Sequence, residues 1–355
     1  MPTPDQSVSA SEGAMPRRPV EIVNVPDVTV ADDDFTHMAE VTREISWRRL
    51  TGLPINAIER RVQFIRLSRY RAALQAAGGL GRRELVVSHL PRMTAATAAA
   101  MRLFGKDNPH LGFSFNFTDL PEGRGLAYMR SVFRTVDRFA VYSNYEQRRY
   151  PELFDIPADR FKSVVWTQSV PPVEPGFPGM VDGDYFCAVG AEGRDFDLLL
   201  EVAARLPKSF KIVVIARPAS LAGRSLPDNL VFLTAIPLAR TWAIAERSLG
   251  VLIPLKSPKT CCGHITFVSA KQLGIPIAAT RSAATVEYTE DRPGIIECDA
   301  RDPIAFGHLL ERLADERTAL RAGARERVDA ERALHHRSKW AAFLSEFIAA
   351  HGQGR

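Results

Sequence analysis

Residues Gly250 to Thr280 read GVLIPLKSPKTCCGHITFVSAKQLGIPIAAT. Val251-Leu252-Ile253-Pro254 is apolar without alternation, as expected of a parallel strand covered on both faces, and Ile275-Pro276-Ile277-Ala278-Ala279 repeats the pattern. Between them Lys256 to Thr266 is small, polar and cationic, and the spacing predicts a helix over Ile265–Leu273. Strand, Gly-centred turn, helix and strand make a βαβ unit. The amides of Gly263, His264, Ile265 and Thr266 open that helix without intrahelical acceptors, at the positive end of its dipole and close in sequence to Lys256 and Lys259. Such an arrangement suits an anion the size of a diphosphate.

The same alternation extends in both directions. Phe186–Val189, Ile212–Ile215 and Leu230–Leu233 read as further strands of one parallel sheet. In the other half Val20–Val25, Glu84–His89, Leu111–Phe117, Arg138–Tyr142 and Phe161–Trp166 read as strands. Helices are expected there over Phe35–Leu50, Ile55–Ala77, Thr94–Phe104, Leu126–Val136 and Asn144–Phe154. Residues 169–183 are rich in proline and glycine and suit neither helix nor strand, so they read as a linker. The expected organisation is a disordered tail over 1–19, an acceptor-side Rossmann-like domain over 20–168, and a nucleotide-binding domain over 184–335. A terminal helix within 336–355 would cross back onto the first domain.

The chain has 355 residues, 46% hydrophobic and 25% charged, enough for two domains with cores of their own. A net charge of +5 favours anionic partners such as nucleotide diphosphates or phospholipid surfaces, and is too small for a dedicated nucleic-acid binder. Four cysteines lack CxxC spacing and a companion histidine pattern, which argues for reduced thiols in a cytoplasmic compartment and against a bound metal. No apolar run reaches the roughly 18 residues of a membrane span, so any membrane contact would be peripheral, at the inner face.

The pattern Gly263-x-x-Thr266-x-x-x-Ala270-x-x-x-Gly274-x-Pro276, followed by an apolar strand, resembles the donor-site motif of nucleotide-sugar-dependent glycosyltransferases of the GT-B fold, family 4 type. Upstream, Tyr185 to Glu201 is similar to the opening of that family's C-terminal domain, and Asp228 to Leu233 with Ile236-Pro237 is similar to another of its passages. The resemblance is good over 184–330 and holds in outline over 20–168. It implies an α/β GT-B fold, two Rossmann-like doubly wound domains facing a central cleft. It further implies transfer of a sugar from a nucleoside-diphosphate donor to a saccharide acceptor, without a cofactor or metal and with retained anomeric configuration, in bacterial-type polysaccharide or glycolipid synthesis. The family usually carries two glutamates eight positions apart in the donor loop and helix; here Cys261 and Ser269 stand there.

Carried over residue by residue, the resemblance puts Arg194, after the Gly190 turn, where the family has a diphosphate-binding lysine. Lys256 and Arg217 follow strands and are further phosphate candidates. Gly263, His264, Ile265 and Thr266 would offer amides, Thr266 also its hydroxyl, and Ser269 would meet a ribose hydroxyl. For the acceptor side, His89 ends a strand and resembles a family histidine near the transferring sugar, while Asp119 could take a proton from an acceptor hydroxyl. Each has a plainer reading: a solvated arginine, a structural histidine, a turn-forming aspartate. Between Arg43 and Arg83 ten arginines face two glutamates, and Arg60, Arg61 and Arg66 lie among apolar residues. That segment fits an anionic membrane surface presenting a lipid-linked saccharide, or equally a core helix with a solvated basic face. A non-catalytic partner subunit on the same fold, or a nucleotide-sugar epimerase, are the alternatives to transfer.

Overall fold

The computed structural model describes residues 19–26, 45–62 and 67–351. The expected tail falls almost wholly outside them, as do most of the helix expected over Phe35–Leu50 and the candidate Arg66.

Two six-stranded, all-parallel sheets form the frame. The first holds β1 (Val20–Val25), β2 (Ile45–Arg49), β3 (Leu85–His89), β4 (His110–Phe113), β5 (Arg138–Val141) and β6 (Phe161–Ser163), ordered β2-β1-β3-β4-β5-β6. The second holds β7 (Tyr185–Val189), β8 (Lys211–Ile215), β9 (Leu230–Leu233), β10 (Val251–Ile253), β11 (Ile277–Thr280) and β12 (Ile295–Cys298), ordered β12-β11-β10-β7-β8-β9. With the first sheet go α1 (Ala57–Arg61), α2 (Leu67–Gly78), α3 (Pro91–Leu103), α4 (Gly123–Phe133) and α5 (Asn144–Phe154). With the second go α6 (Phe196–Arg205), α7 (Leu238–Arg247), α8 (His264–Gln272), α9 (Val286–Thr289), α10 (Pro303–Asp315), α11 (Arg317–Glu326) and α12 (Val328–Leu334); α13 (Ser338–His351) ends the described chain.

Strand alternation sends neighbouring residues to opposite faces. Val23 and Val86 pack beneath Ala72, Ala76 and Ala96, small side chains that let α2 and α3 lie close together. Ile22, Val87, Leu111 and Phe113 face the other way, onto Trp340, Phe343, Leu344 and Phe347 of α13. Covering each of those large side chains contributes roughly 1.5–3 kcal/mol, so the last helix is anchored on the first sheet. In the second sheet Phe186 and Ala188 join one core, Tyr185 and Cys187 the other.

Several boundaries differ from expectation. Ile45–Arg49 is a strand, because Val20 to Asn24 offer it a parallel partner in register, and strand pairing overrides helical spacing. Within the long helix expected over Ile55–Ala77, α1 ends at Arg61, where the backbone of Val62 leaves helical geometry, and α2 covers Leu67–Gly78. The strand expected over Leu111–Phe117 ends at Phe113, because Ser114 turns to φ 51°. β12 lies outside the strands expected from the sequence. Between Ser163 and Tyr185 the chain forms neither helix nor strand.

Both sheets reverse winding direction once, between β1 and β3 in the first and between β7 and β10 in the second. The crevice outside the carboxyl ends of such strands is where ligands bind in doubly wound sheets. Asn24 and His89 stand at one reversal, Gly190 and Leu255 at the other.

Candidate functional site

At the second reversal two loops zip together. After β7 the chain turns through Gly190 (φ 99°) and Gly193 (φ 66°), and Arg194 forms an isolated antiparallel bridge with Leu255 just past β10. The amide of Lys256 donates to the Gly193 carbonyl at 3.1 Å, and the amide of Asp195 to that of Pro254 at 2.8 Å. Asp195 then caps α6 by accepting from the Leu198 amide.

Arg194 points inward and is only 4% exposed. Nη2 donates to Thr266 Oγ1 at 2.9 Å and to the Val189 carbonyl at 3.3 Å, and Nη1 to the Glu192 carbonyl at 3.2 Å. Nε has no acceptor among the described residues. Every acceptor it does have is neutral, and burial lowers its pKa to about 10. A guanidinium withdrawn from water without a carboxylate is costly, and the cost falls once an anion enters beside it.

Further groups that would suit an anion stand in α8. Gly263 caps the helix in the left-handed conformation (φ 97°) and no side chain caps it. Among the described residues the amides of Gly263, His264, Ile265 and Thr266 find no protein acceptor. A side chain at Gly263 would stand 3.4 Å from Arg194 Nη1, and one at Gly190 3.3 Å from Nη2, so both glycines border the guanidinium. Gly190, Arg194, Gly263 and Thr266 thus come together as a cationic, amide-lined cradle.

The other donor-side candidates are placed differently. Ile265 is exposed at the helix start, while the His264 ring is buried, held on the Ala284 carbonyl at 3.1 Å and packed against Tyr288 and Tyr142. Burial lowers its pKa to about 4, so near neutrality the ring carries no charge to offer an anion. Ser269 does not open onto the cradle. It is 1% exposed and accepts from Gln168 Nε2 at 2.7 Å, because its place on α8 faces the segment joining the two halves. Lys256 is exposed at the end of β10; Arg217, also exposed, is ion-paired with Glu192.

On the first half, His89 Nε2 lies 2.8 Å from Asn24 Oδ1, and its ring meets Phe113 edge-on. An amide oxygen can only accept, so Nε2 carries the proton in this pairing. Just beyond it Leu90 has φ 69°, and at the end of the next strand Ser114 has φ 51°. Non-glycine residues in this region are strained, and here two occur at adjacent strand ends. Asp119 is exposed on the loop that follows.

That loop touches the loop between β10 and α8 across the two halves. Asn116 Nδ2 donates to the Cys261 carbonyl at 3.1 Å, and Thr118 Oγ1 lies 3.1 Å from Cys262 Sγ. The Tyr288 hydroxyl accepts from the Trp166 amide at 2.8 Å and donates to the Tyr142 carbonyl at 2.9 Å. Close by, the Glu146 carboxylate is fully buried, accepting from the Tyr142 amide, Ser143 Oγ and the Tyr150 hydroxyl. Burial raises its pKa to about 7. Of these the resemblance marks only Cys261; Asn116 and Thr118 are within reach of a sequence reading, since they lie in the stretch that delivers Asp119, but Tyr288 and Glu146 carry no local signal. Arg60 and Arg61 are exposed on α1, on a helix remote in sequence from both loops. Among the described residues no group of three or more metal-ligating side chains is gathered, and no helix is long and apolar enough to cross a membrane.

No protein-family model and no curated protein sequence matches the chain. Solved structures do. The sucrose-phosphate synthase of Thermosynechococcus elongatus superposes with a TM-score of 0.70 at 13% identity, covering 94% of this chain and 99% of its own. Anabaena HepE, crystallised with UDP, gives 0.65 at 9% identity over 93% and 100%. The trehalose 6-phosphate synthase of Burkholderia multivorans gives 0.65 at 11% identity over 94% and 99%. Similarity this far along both chains, with two doubly wound parallel sheets, gives this protein the GT-B fold of glycosyltransferases.

Proposed function

We propose that this protein is a glycosyltransferase that moves a sugar from a nucleoside-diphosphate donor to a saccharide acceptor. One observation carries the reading: Arg194 is a buried guanidinium with only neutral acceptors, set beside the uncapped first turn of α8. Departure of a nucleoside diphosphate develops negative charge on the leaving phosphate. Preorganised cations and amides in a water-poor site stabilise such charge more in the transition state than before it. Arg194, the amides from Gly263 to Thr266 and the Thr266 hydroxyl supply that stabilisation without a metal, with Lys256 at the rim. His89 and Asp119 serve the acceptor side, Asp119 as the proton acceptor and His89, held by Asn24, against the transferring sugar. HepE has been crystallised with UDP and with UDP-glucose, which supports uridine donors as the first to try.

The test is a thermal-shift panel of UDP, GDP, ADP, dTDP and their sugars, followed by donor hydrolysis and transfer assays on the responding nucleotide. A shift that disappears in Arg194→Ala supports the cradle. No shift with any of them overturns it. A second reading, a non-catalytic subunit of the same fold, is favoured by Cys261 and Ser269 at the two positions where the resemblance expects carboxylates. Nucleotide binding with neither hydrolysis nor transfer selects it, and donor interconversion without acceptor selects an epimerase.

A further inference from the structure

Sixteen large apolar side chains stand exposed among the described residues, and six of them are gathered on one region of the first half: Ile58, Leu67, Tyr70, Leu74, Leu103 and Phe104. Leu67, Tyr70 and Leu74 recur at helical spacing and form one stripe along α2, while Ala72, Ala73, Ala76 and Ala77 take its buried side. The stripe continues at both ends. Arg71 ties α1 to α2 through an ion pair with Glu59 at 2.7 Å, which brings Ile58, 70% exposed, alongside. At the far end a side chain on Gly78 would meet the Phe104 ring at 3.6 Å, so Phe104 and the adjoining Leu103, 75% exposed, extend the ribbon onto the end of α3.

The charge around the ribbon is predominantly positive. From Ile45 to Asp107 the sequence holds eleven arginines and one lysine against two glutamates and the exposed Asp107. Both glutamates are already taken, Glu59 by Arg71 and Glu84 by Arg48. Arg60 and Arg61 border one end of the ribbon; Arg82, Arg83 and Arg102 lie near the other, all exposed.

We infer that this face docks on an anionic phospholipid bilayer, the aliphatic and aromatic side chains entering the headgroup boundary while the guanidiniums meet lipid phosphates. Aliphatic groups interleaved with cations suit that boundary better than a nucleic acid, which offers phosphates but no apolar layer for leucine. A second copy of the chain is disfavoured because a two-fold contact would set arginines against arginines. The inference goes beyond the donor reading, and its test contains no nucleotide, so either can fail alone.

The full chain is sedimented with phosphatidylcholine vesicles, with and without roughly 30% phosphatidylglycerol, at low and high salt. Binding is expected only with the anionic lipid, falling as salt rises, and at least about tenfold weaker in the Arg60→Glu/Arg61→Glu variant. Tyr70→Ser/Leu74→Ser should also lose binding while the protein stays folded with a cooperative thermal transition, since about half of each side chain is exposed. In Leu74→Trp the emission added over the parent protein should shift to the blue and be quenched by brominated lipid. Equal sedimentation with neutral vesicles, no sedimentation with either, or charge-reversed protein that binds as well as the parent overturns the proposal. So does a concentration-dependent dimer in ultracentrifugation that Tyr70→Ser/Leu74→Ser abolishes, which would assign the face to a second copy.

Discussion

Gln168 reaches across from the segment joining the two halves and donates to Ser269 at 2.7 Å, on the flank of the helix whose first turn lines the cradle. Gln272, one turn on, donates to the Gln168 carbonyl, so the joining segment is held at two points along α8. Ser269 is therefore a structural partner. Ser269→Ala leaves a half-buried amide donor without its acceptor, which costs about 1–3 kcal/mol. Urea unfolding should show that loss, while nucleotide affinity by thermal shift or calorimetry should fall much less than in Thr266→Ala, whose hydroxyl touches Arg194. The opposite order, stability kept and affinity lost, would return Ser269 to the ribose.

Arg194 pits apo stability against binding. Its pKa is lowered by desolvation, so the folded apo state bears the cost of an unpaired buried charge. Arg194→Met keeps much of the volume and removes the charge. Apo thermal stability is expected to hold or rise, while the nucleotide-induced shift disappears and affinity falls on the order of 100-fold, about 2.7 kcal/mol. A drop in apo Tm beyond about 2 °C, roughly 1 kcal/mol for a chain of this size, would mean that the guanidinium is a net structural support.

The frame was legible because parallel strands buried on both faces write themselves as unbroken apolar runs, as Val251–Ile253 and Val213–Ile215 do. The cradle was legible because Gly263 and Thr266 fall at a helix start after such a strand. What escaped was decided by long-range partners. Ile45–Arg49 falls in a stretch whose spacing suggests a helix, yet it lies beside β1, and only that pairing makes it a strand. Ser269 has the polarity of a ligand contact, but Gln168, 101 positions away, takes its hydroxyl. Asn116 and Thr118 meet Cys261 and Cys262 only once the halves are assembled, and no local pattern announces such a meeting.

Gly193 is held by steric need. Its φ is 66°, and an added Cβ would sit 2.8 Å from both Cys262 Cβ and Thr260 Cγ2. Gly193→Ala therefore combines a left-handed backbone penalty with overpacking, together on the order of 2–4 kcal/mol, and pushes the donor loop away from Arg194. Gly176, with φ 65° and nothing within 4 Å of its missing Cβ, is the matched control. Gly176→Ala should cost only the backbone share, about 1–2 kcal/mol, with nucleotide affinity unchanged. Equal stability losses in the two variants, with affinity kept in both, would show that the loop accommodates a methyl group at Gly193.

Glu146 should impose a pH dependence of its own. Its folded pKa, raised to about 7 by burial, exceeds the unfolded reference of 4.5, so the native state holds this proton more tightly than the unfolded chain does. The associated stability is fully present below pH 4.5 and is lost as pH rises through about 7, for a total of about 3 kcal/mol. His264 opposes it: with a folded pKa of about 4 against 6.5, its contribution is present above pH 6.5 and is lost as pH falls toward 4. The parent's own profile mixes these slopes with those of other buried groups such as His110 and Lys271, and the difference between parent and Glu146→Gln isolates the carboxyl, since glutamine preserves the shape without the proton. Urea unfolding from pH 4.5 to 8 should show the variant gaining on the parent as pH rises, with the two curves parallel above pH 8. A difference that stays flat across this range would mean that Glu146 is ionised throughout, held by the Tyr142 amide, Ser143 and Tyr150 more strongly than burial disfavours it.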